Sequence, residues 1–268
     1  LDRVEISPAA LDSLKDELVK IEGEFPELVT SDSPTQRVAG EPLPQFVKVR
    51  HRVTQWSFND AFSEEDIRAF DERAKRFLKK ETGRDELVEY TCELKIDGLK
   101  VVLEYERGLL VRATTRGNGV VGEDVTMNVR TIESVPLSLR KVVDIIVEGE
   151  VWMGKKGLEK LNKQREKNGE PVFANPRNVA AGSIRQLDPR MTASRPLEMF
   201  VYDVALYDKE IGSQIEELEL LRDLGFRVNP HFKLSQNIDG VIEYWKTWQK
   251  KAPKENYLID GVVLKVNQ

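Results

Sequence analysis

The sequence predicts an α+β fold, and three observations support this prediction. Apolar runs at 88–96, 99–105 and 109–115 follow one another with only short polar breaks, a pattern typical of strands joined by tight turns. Strands joined in this way pair antiparallel. Helical patterns with their own start and stop signals occur in both halves of the chain. With 268 residues, 40% of them hydrophobic, the chain can bury one large core, with or without a small appendage.

The composition limits the classes of function. No apolar run approaches the length of a membrane span, and the N-terminus lacks the pattern of a secretory signal, so no membrane partner is predicted. One cysteine, Cys92, excludes an internal disulfide, and two histidines argue against a structural zinc site. These features predict a soluble protein in a reducing, cytoplasmic compartment.

The charge is unevenly distributed along the chain. A net charge of -5 argues against a generally basic nucleic-acid binder. Residues 155–195 differ, because they hold ten basic residues against four acidic ones. Such a run forms either a solvated helical face or a surface for a nucleic-acid backbone, and the local excess of positive charge favours the second interpretation.

The sequence predicts a helix, a linker and a second helix before the first long strand. A helix is predicted at 8–22, where four apolar residues recur on one face before Pro26 ends it. An irregular linker follows at 31–40. A second helix is predicted at 63–83 from the capping pattern that begins at Ser63. The apolar residues of the first helix are Leu11, Leu14, Leu18 and Ile21.

The strand at 88–96 carries Glu93, Lys95 and, directly after it, Asp97. Because side chains alternate along a strand, these three share one side. A lysine between two acids can be a structural ion pair on the sheet, or a nucleophile whose protonation is set by its surroundings. The residues alone leave both readings open.

Two later segments each carry a pair of like charges on one face: two glutamates on a strand and two arginines on a helix. Glu148 and Glu150 lie on one face of a strand predicted at 144–153, and they repel unless a cation or donor lies between them. This suggests the cofactor or metal side of a cleft. A helix that starts at the sequence NPRN carries Arg177 and Arg185, about 80° apart around its axis, so both can face one groove.

The closing elements add an aromatic side chain and two more charges. A strand carrying Tyr202 precedes two further helices, and a last strand at 258–266 carries Asp260 and Lys265. These two residues have opposite parity and would face opposite sides of a regular strand. If both act in one site, the strand needs a bulge, and Gly261 is the expected position.

Several short motifs together resemble one protein family. KIDG at 95–98 is similar to the adenylation motif of the covalent nucleotidyltransferases. The surrounding motifs resemble the bacterial NAD-dependent DNA ligases specifically, from about Pro26 to the end of the chain. They are TRGNG at 115–119, GEDV at 122–125, NPRN at 175–178, QLDPR at 186–190 and IDGVVLKVN at 259–267.

The resemblance implies a nucleotidyltransferase (adenylation) fold, with two antiparallel sheets flanked by helices and a nucleotide cleft between them. It implies that 41–268 forms this domain. Residues 1–40 are then the remnant of a helical subdomain that binds the nicotinamide mononucleotide half of NAD, followed by a linker. The tyrosine, histidine and aspartate side chains that grip that half in the family are not found here, so the chain is expected to orient the leaving group poorly.

The resemblance also implies a reaction. Lys95, with Asp97 beside it, attacks the α-phosphate of NAD and carries AMP, which then passes to the 5′-phosphate of a DNA nick. Arg185 is implied at the DNA face, and Arg177 at both the nucleotide and the DNA face. The other residues implied to bind the AMP half are Glu93 at the adenine edge, Ser57 and Phe58 at the adenosine, Arg116 at the ribose, Tyr202 on the adenine ring, Lys265 at the α-phosphate, and Glu150.

The acids around Lys95 lead to a hypothesis about a metal. Two flanking carboxylates favour the ammonium form of a lysine, which is not nucleophilic, so a cation should offset them. We therefore expect a Mg²⁺ ion, held mostly through water by Asp97, Glu150 and Asp260, which also neutralises the phosphates.

Partners and departures complete the expectations. The resemblance implies a monomer that acts on nicked double-stranded DNA near the bacterial nucleoid. It also implies oligonucleotide-binding, zinc and helix-hairpin-helix modules in the full-length protein. Departures from the family occur at 54–56, Glu148 and Ala252. Alternatives that share the lysine motif are an ATP-dependent DNA or RNA ligase and a capping-type nucleotidyltransferase; a third is a non-catalytic DNA-binding module.

Overall fold

The fold is α+β with two main antiparallel sheets, as predicted, in a computed structural model that describes residues 8–38, 45–85 and 87–267. In chain order the strands are β1 (Lys48–Arg50), β2 (Tyr90–Ile96), β3 (Leu99–Glu106), β4 (Leu109–Thr115), β5 (Val121–Glu123), β6 (Ile145–Met153), β7 (Leu197–Tyr207), β8 (Lys233–Ser235) and β9 (Ile259–Val266). The helices are α1 (Pro8–Glu24), α2 (Glu64–Thr82), α3 (Thr126–Val129), α4 (Lys155–Lys167), α5 (Pro176–Ile184), α6 (Pro189–Ala193), α7 (Gln214–Leu224) and α8 (Ile238–Lys251).

The larger sheet has the strand order β4-β3-β6-β7, with every neighbouring pair antiparallel. Helices α5 and α7 pack on one face and bury it together with apolar side chains of β3 and β6. A separate two-stranded ribbon, β1-β5, was not predicted. Fully buried members of this core include Leu103, Val147, Ile184, Leu218 and Leu221.

The smaller sheet has the order β8-β2-β9, and helices α2 and α8 belong to the core that covers it. This second core also includes Trp152 and Phe200 of the larger sheet, whose rings stack with 5.1 Å between their centroids. Aromatic stacking of this kind adds to the area that the two rings bury. The second core therefore links the two sheets.

Capping explains where α2 begins and ends. The Ser63 hydroxyl accepts from the Asp66 N–H at 3.1 Å, and the Asp66 carboxylate accepts from the Ser63 N–H at 3.0 Å. Gly83 ends the helix with φ of +73°, a left-handed conformation that glycine adopts at little cost. The capping box predicted from the sequence is thus present.

Helix α1 begins at the predicted residue and ends two residues beyond the predicted end, and its apolar face is largely open, since Leu14 is 54% exposed. The segment after it is fixed by the Arg37 guanidinium, which donates to the main-chain carbonyls of residues 130, 132 and 135 at 2.9 to 3.1 Å. The predicted domain boundary at 40/41 lies outside the described residues. Within the described ranges, no helix is both long and apolar enough to cross a bilayer.

Candidate functional site

A cleft of about 240 Å³ opens where the two main sheets meet. Strands β2 and β9 of the smaller sheet line one side, and β3, β6 and β7 of the larger sheet line the other. Trp56, Asp60 and Lys100 also line it and were not predicted. The structure brings eight predicted site residues into this lining: Ser57, Phe58, Glu93, Lys95, Arg116, Glu150, Tyr202 and Lys265.

Lys95 lies near the end of β2 with 44% of its side chain exposed, and its amine forms an ion pair with the Asp260 carboxylate. Asp97 follows the strand and does not line the cleft; its N–H donates to the Leu258 carbonyl at 3.0 Å. A side chain at Gly98 would clash with the carbonyl oxygen of Val151. Glycine at this position lets the turn between β2 and β3 pass close to the main chain of β6.

The predicted bulge in the last strand is present. Lys95 pairs with Gly261 across the sheet, whereas the next residue, Ile96, pairs with Ile259. Asp260 is therefore the extra residue, directly beside Gly261 where the bulge was predicted. A bulge re-aims side chains, and this one brings the Asp260 carboxylate to the Lys95 amine.

Glu93 and Lys265 form a buried ion pair deep in the cleft, with 3.3 Å between Oε1 and Nζ. Burial raises the pKa of Glu93, and Lys265 opposes this rise. For Lys265, burial lowers the pKa, but the carboxylates of Glu93 and Asp203 outweigh burial and leave it raised. Lys265 pairs across the sheet with Thr91, four residues from Lys95. Its amine thus lies with Glu93 at the far end of the cleft, and the α-phosphate contact implied for Lys265 stays a prediction.

Glu150 contributes a half-buried carboxyl group on the wall opposite Lys95. Burial raises its pKa to about 7, and the cations of Lys95, Arg177 and Lys100 oppose that rise. At neutral pH the group therefore lies close to the midpoint of its titration. Such a perturbed carboxyl in a cleft is typical of a functional site.

Glu148, a departure from the family, pairs with Lys100 at 2.5 Å, and both side chains are largely buried. Lys100 stands on β3, and its side chain also lines the cleft. The predicted repulsion between Glu148 and Glu150 is therefore offset by an ammonium. Sequence reasoning missed Lys100 because the pairing depends on the register between β3 and β6; the only signal was a lysine two residues after the KIDG motif.

Arg116, Ser57 and Phe58 form the outer wall of the cleft. The Arg116 guanidinium donates to the Ser57 hydroxyl at 2.5 Å. Its Nε atom is one of the few buried side-chain polar atoms, among the described residues, that have no hydrogen-bond partner. A buried donor without a partner is costly, so this atom fits an acceptor that a ligand brings. Trp56 and Phe58 leave 78% and 55% of their surface open beside it.

The two predicted phosphate-binding arginines are separate. Arg177 lies at the start of α5, and its Nη1 lies 3.3 Å from Asp97 Oδ1. Arg185 is not in the helix as predicted, because α5 ends at Ile184 and Arg185 caps it with a non-helical conformation. Arg185 pairs with Glu123 at 3.0 Å and lines a wider, open hollow of about 590 Å³ outside the cleft.

The predicted magnesium ligands do not form a cluster. Within the described ranges, no group of three or more His, Cys, Asp or Glu side chains is arranged to hold a metal ion. Asp97 already faces Arg177 and Asp260 faces Lys95, while Glu150 is only partly ionised. A Mg²⁺ ion held mostly through water does not need such a cluster, because Mg²⁺ usually keeps several of its waters, so the ion expected at these three residues stays a prediction.

In the basic run at 155–195, the arginines and the lysines differ in whether they have partners. All five of its arginines have partners; Arg165, for example, pairs with Glu170 at 2.8 Å. Four lysines of α4 are exposed and have no ion pair within the described part of the chain, so the unneutralised positive charge lies along this helix. They are Lys156, Lys160, Lys163 and Lys167.

Comparison with protein families gives two matches. The model for the NAD-dependent DNA ligase adenylation domain matches residues 43–268. The model for the DNA ligase-like, N-terminal NAD+-binding domain matches residues 1–39. Together they account for nearly the whole chain.

Individual relatives agree with these matches. The DNA ligase of Halothermothrix orenii is 51% identical over 269 residues, and that of Carboxydothermus hydrogenoformans is 48% identical over 269 residues. Both alignments cover all of this chain but only 39% and 40% of the relatives, so the chain spans about two fifths of their length. A solved mycobacterial DNA ligase D complexed with ATP and MES shares 13% identity over 67% of this chain and 50% of its own. Its TM-score of 0.37 is too low to carry an argument.

Proposed function

Because the chain belongs to the NAD-dependent DNA ligase adenylation domain family, we propose that it performs nucleotide transfer through Lys95. In this proposal the Lys95 amine takes AMP from NAD and later passes it to the 5′-phosphate of a nick in double-stranded DNA. The observation that supports it best is the position of the amine. It stands at the accessible end of a cleft that holds a buried cation–carboxylate pair at its other end.

The first step forms a bond between Lys95 Nζ and the α-phosphorus. The pyrophosphate P–O bond breaks, and nicotinamide mononucleotide leaves with the bonding electrons. Lysine attacks only as the neutral amine, so the amine must first lose a proton and separate from Asp260. The partly titrated Glu150 carboxyl on the opposite wall adds a group able to exchange protons near neutral pH.

The remaining lining residues would bind and orient the AMP half. Tyr202 and Phe58 offer aromatic surface for the base, and the free Nε of Arg116 suits a ribose or phosphate oxygen. We assign Glu93 and Lys265 together to the base edge, because they touch each other at the far end of the cleft. The phosphate contact then goes to Arg177, beside Asp97.

Nicked DNA as the second substrate rests on the family and on the exposed lysines of α4, which would contact phosphates without reading bases. The division of the chain at about residue 40 is also part of the proposal. A magnesium requirement is proposed because a cation should offset the carboxylates around Lys95. Titrating Mg²⁺ into labelling reactions of the wild type and of Asp260→Asn tests it, and an unchanged Mg²⁺ dependence would exclude Asp260 as a ligand.

Covalent labelling with three nucleotides tests the reaction class. The chain is incubated separately with adenine-labelled NAD, labelled ATP and labelled GTP. We expect label from NAD only. Label from ATP or GTP would indicate an ATP-dependent ligase or a guanylyltransferase, and DNA binding without any label would indicate a non-catalytic module.

A further inference from the structure

Asp203 and Gln214 contact the Glu93–Lys265 pair at the inner end of the cleft. The Lys265 amine donates to Asp203 Oδ1 at 2.8 Å and to the Tyr202 carbonyl at 3.1 Å. The Gln214 amide donates to Glu93 Oε1 at 3.2 Å and to the same carbonyl at 3.3 Å. Each member of the Glu93–Lys265 pair thus has its own partner outside the pair.

A second bulge brings these groups together. In the pairing of β6 with β7, Glu148 lies opposite Asp203 and Gly149 lies opposite Val201, so Tyr202 is the extra residue. Side chains normally alternate along a strand, but a bulge lets two consecutive ones reach the same region. Tyr202 lines the cleft, and Asp203 reaches the amine of Lys265, which also lines it.

The position of Gln214 is fixed by the cap of α7. It is the first residue of the helix, after Ser213, whose hydroxyl accepts from the Glu216 N–H at 3.2 Å. Its own N–H donates to the Asn267 carbonyl at 3.0 Å, which ties the start of α7 to the end of β9. The amide is therefore held in place to meet Glu93.

The distances show how the charges are shared. Lys265 lies closer to Asp203, at 2.8 Å, than to Glu93, at 3.3 Å. Asp203 thus shares the ammonium with Glu93, and Glu93 keeps acceptor capacity. The pair offers an acceptor beside a donor, which matches the amino group and ring nitrogen of adenine. Hypoxanthine presents the reverse pattern, an oxygen beside an N–H.

We propose that Asp203 and Gln214 are positioning residues that keep Glu93 and Lys265 available as an acceptor–donor pair, and that they thereby set the preference for adenine over hypoxanthine. This inference rests on the proposed nucleotide function. Without Asp203, the Lys265 ammonium pairs with the Glu93 carboxylate alone. Neither group is then available to form a hydrogen bond with the base. Without Gln214, the Glu93 carboxylate is free to rotate away from the base edge.

The test compares binding of AMP and of inosine monophosphate by titration calorimetry. The variants are Asp203→Asn, which removes charge with little change of shape, and Gln214→Ala. Glu219→Gln, on the exposed face of α7, is the matched control. We expect the wild type and the control to prefer AMP by at least about tenfold, and each test variant to reduce this preference about tenfold, the scale of one lost charged hydrogen bond.

The outcomes separate the inference from the function on which it rests. Wild-type protein that binds neither nucleotide refutes the proposed function. Wild-type protein that binds both equally, or test variants that keep the wild-type preference, refute the positioning role. If the two residues had a purely structural role, replacing them would weaken the binding of AMP and of inosine monophosphate alike. The ratio of the two affinities would then stay unchanged. Because the two variants act through different contacts, Gln214→Ala decides the question if Asp203→Asn does not fold.

Discussion

Replacing Glu150 by glutamine should stabilise the protein at alkaline pH. Burial between the sheets raises the pKa of Glu150 from 4.5 to about 7, although the cations of Lys95 and Arg177 oppose it. Between these two values the folded state keeps a proton on this carboxyl that the unfolded chain has released. The free energy of unfolding therefore falls as pH rises through this range.

The size of the effect follows from the two pKa values. A change from 4.5 to about 7 corresponds to a loss of about 3 kcal/mol of unfolding free energy above about pH 8. Glutamine cannot ionise, so Glu150→Gln removes this loss. We expect the variant and the wild type to differ by less than about 1 kcal/mol at about pH 5, and by about 3 kcal/mol at about pH 8.5.

Urea unfolding at several pH values measures this difference. Glu148→Gln is the matched control on the same strand, because the Glu148 carboxylate lies 2.5 Å from the buried ammonium of Lys100. Removing that partner leaves a charge buried without compensation, so the control should be less stable than the wild type. A Glu150→Gln protein that is no more stable than the wild type at about pH 8.5, or a difference that does not grow with pH, would refute the reasoning.

Two further predictions use other contacts. Gly98→Ala should destabilise the chain by about 1–3 kcal/mol, because the new methyl meets the Val151 carbonyl, whereas Gly182→Ala, with open space in α5, should not; denaturant titration of both decides. Arg177→Ala and Arg185→Ala should weaken phosphate binding with little loss of stability, since both side chains are more than half exposed; a large fall in melting temperature with unchanged phosphate affinity would contradict this.

The sequence predicted those features of the fold that depend on residues close together in the chain. The capping box at Ser63 and the bulge beside Gly261 follow from short-range chemistry and sequence parity, and both are present. It did not predict the Lys100–Glu148 pair, which depends on the register between two strands. Asp203 was missed for a similar reason, since only the bulge at Tyr202 brings it to the cleft.

The charged residues around Lys95 and Lys265 show a second limit. The sequence places charged residues near one another but does not say which pairs neutralise each other. In the structure Asp260 contacts Lys95, and Lys265 lies with Glu93. Parity could show that two side chains share a cleft, but not their order along it. The structure therefore adds the pairing of these charges, which the sequence did not show.

Intact mass after incubation with NAD, followed by peptide mapping, tests the central claim most directly. We predict that the wild-type chain gains the mass of one AMP, that the modified peptide carries it on Lys95, and that Lys95→Ala gains none while keeping its fold. Arginine stays protonated, so Lys95→Arg should also remain unmodified. An AMP adduct on Lys95→Ala, or one mapped to any other residue of the wild type, would contradict the account.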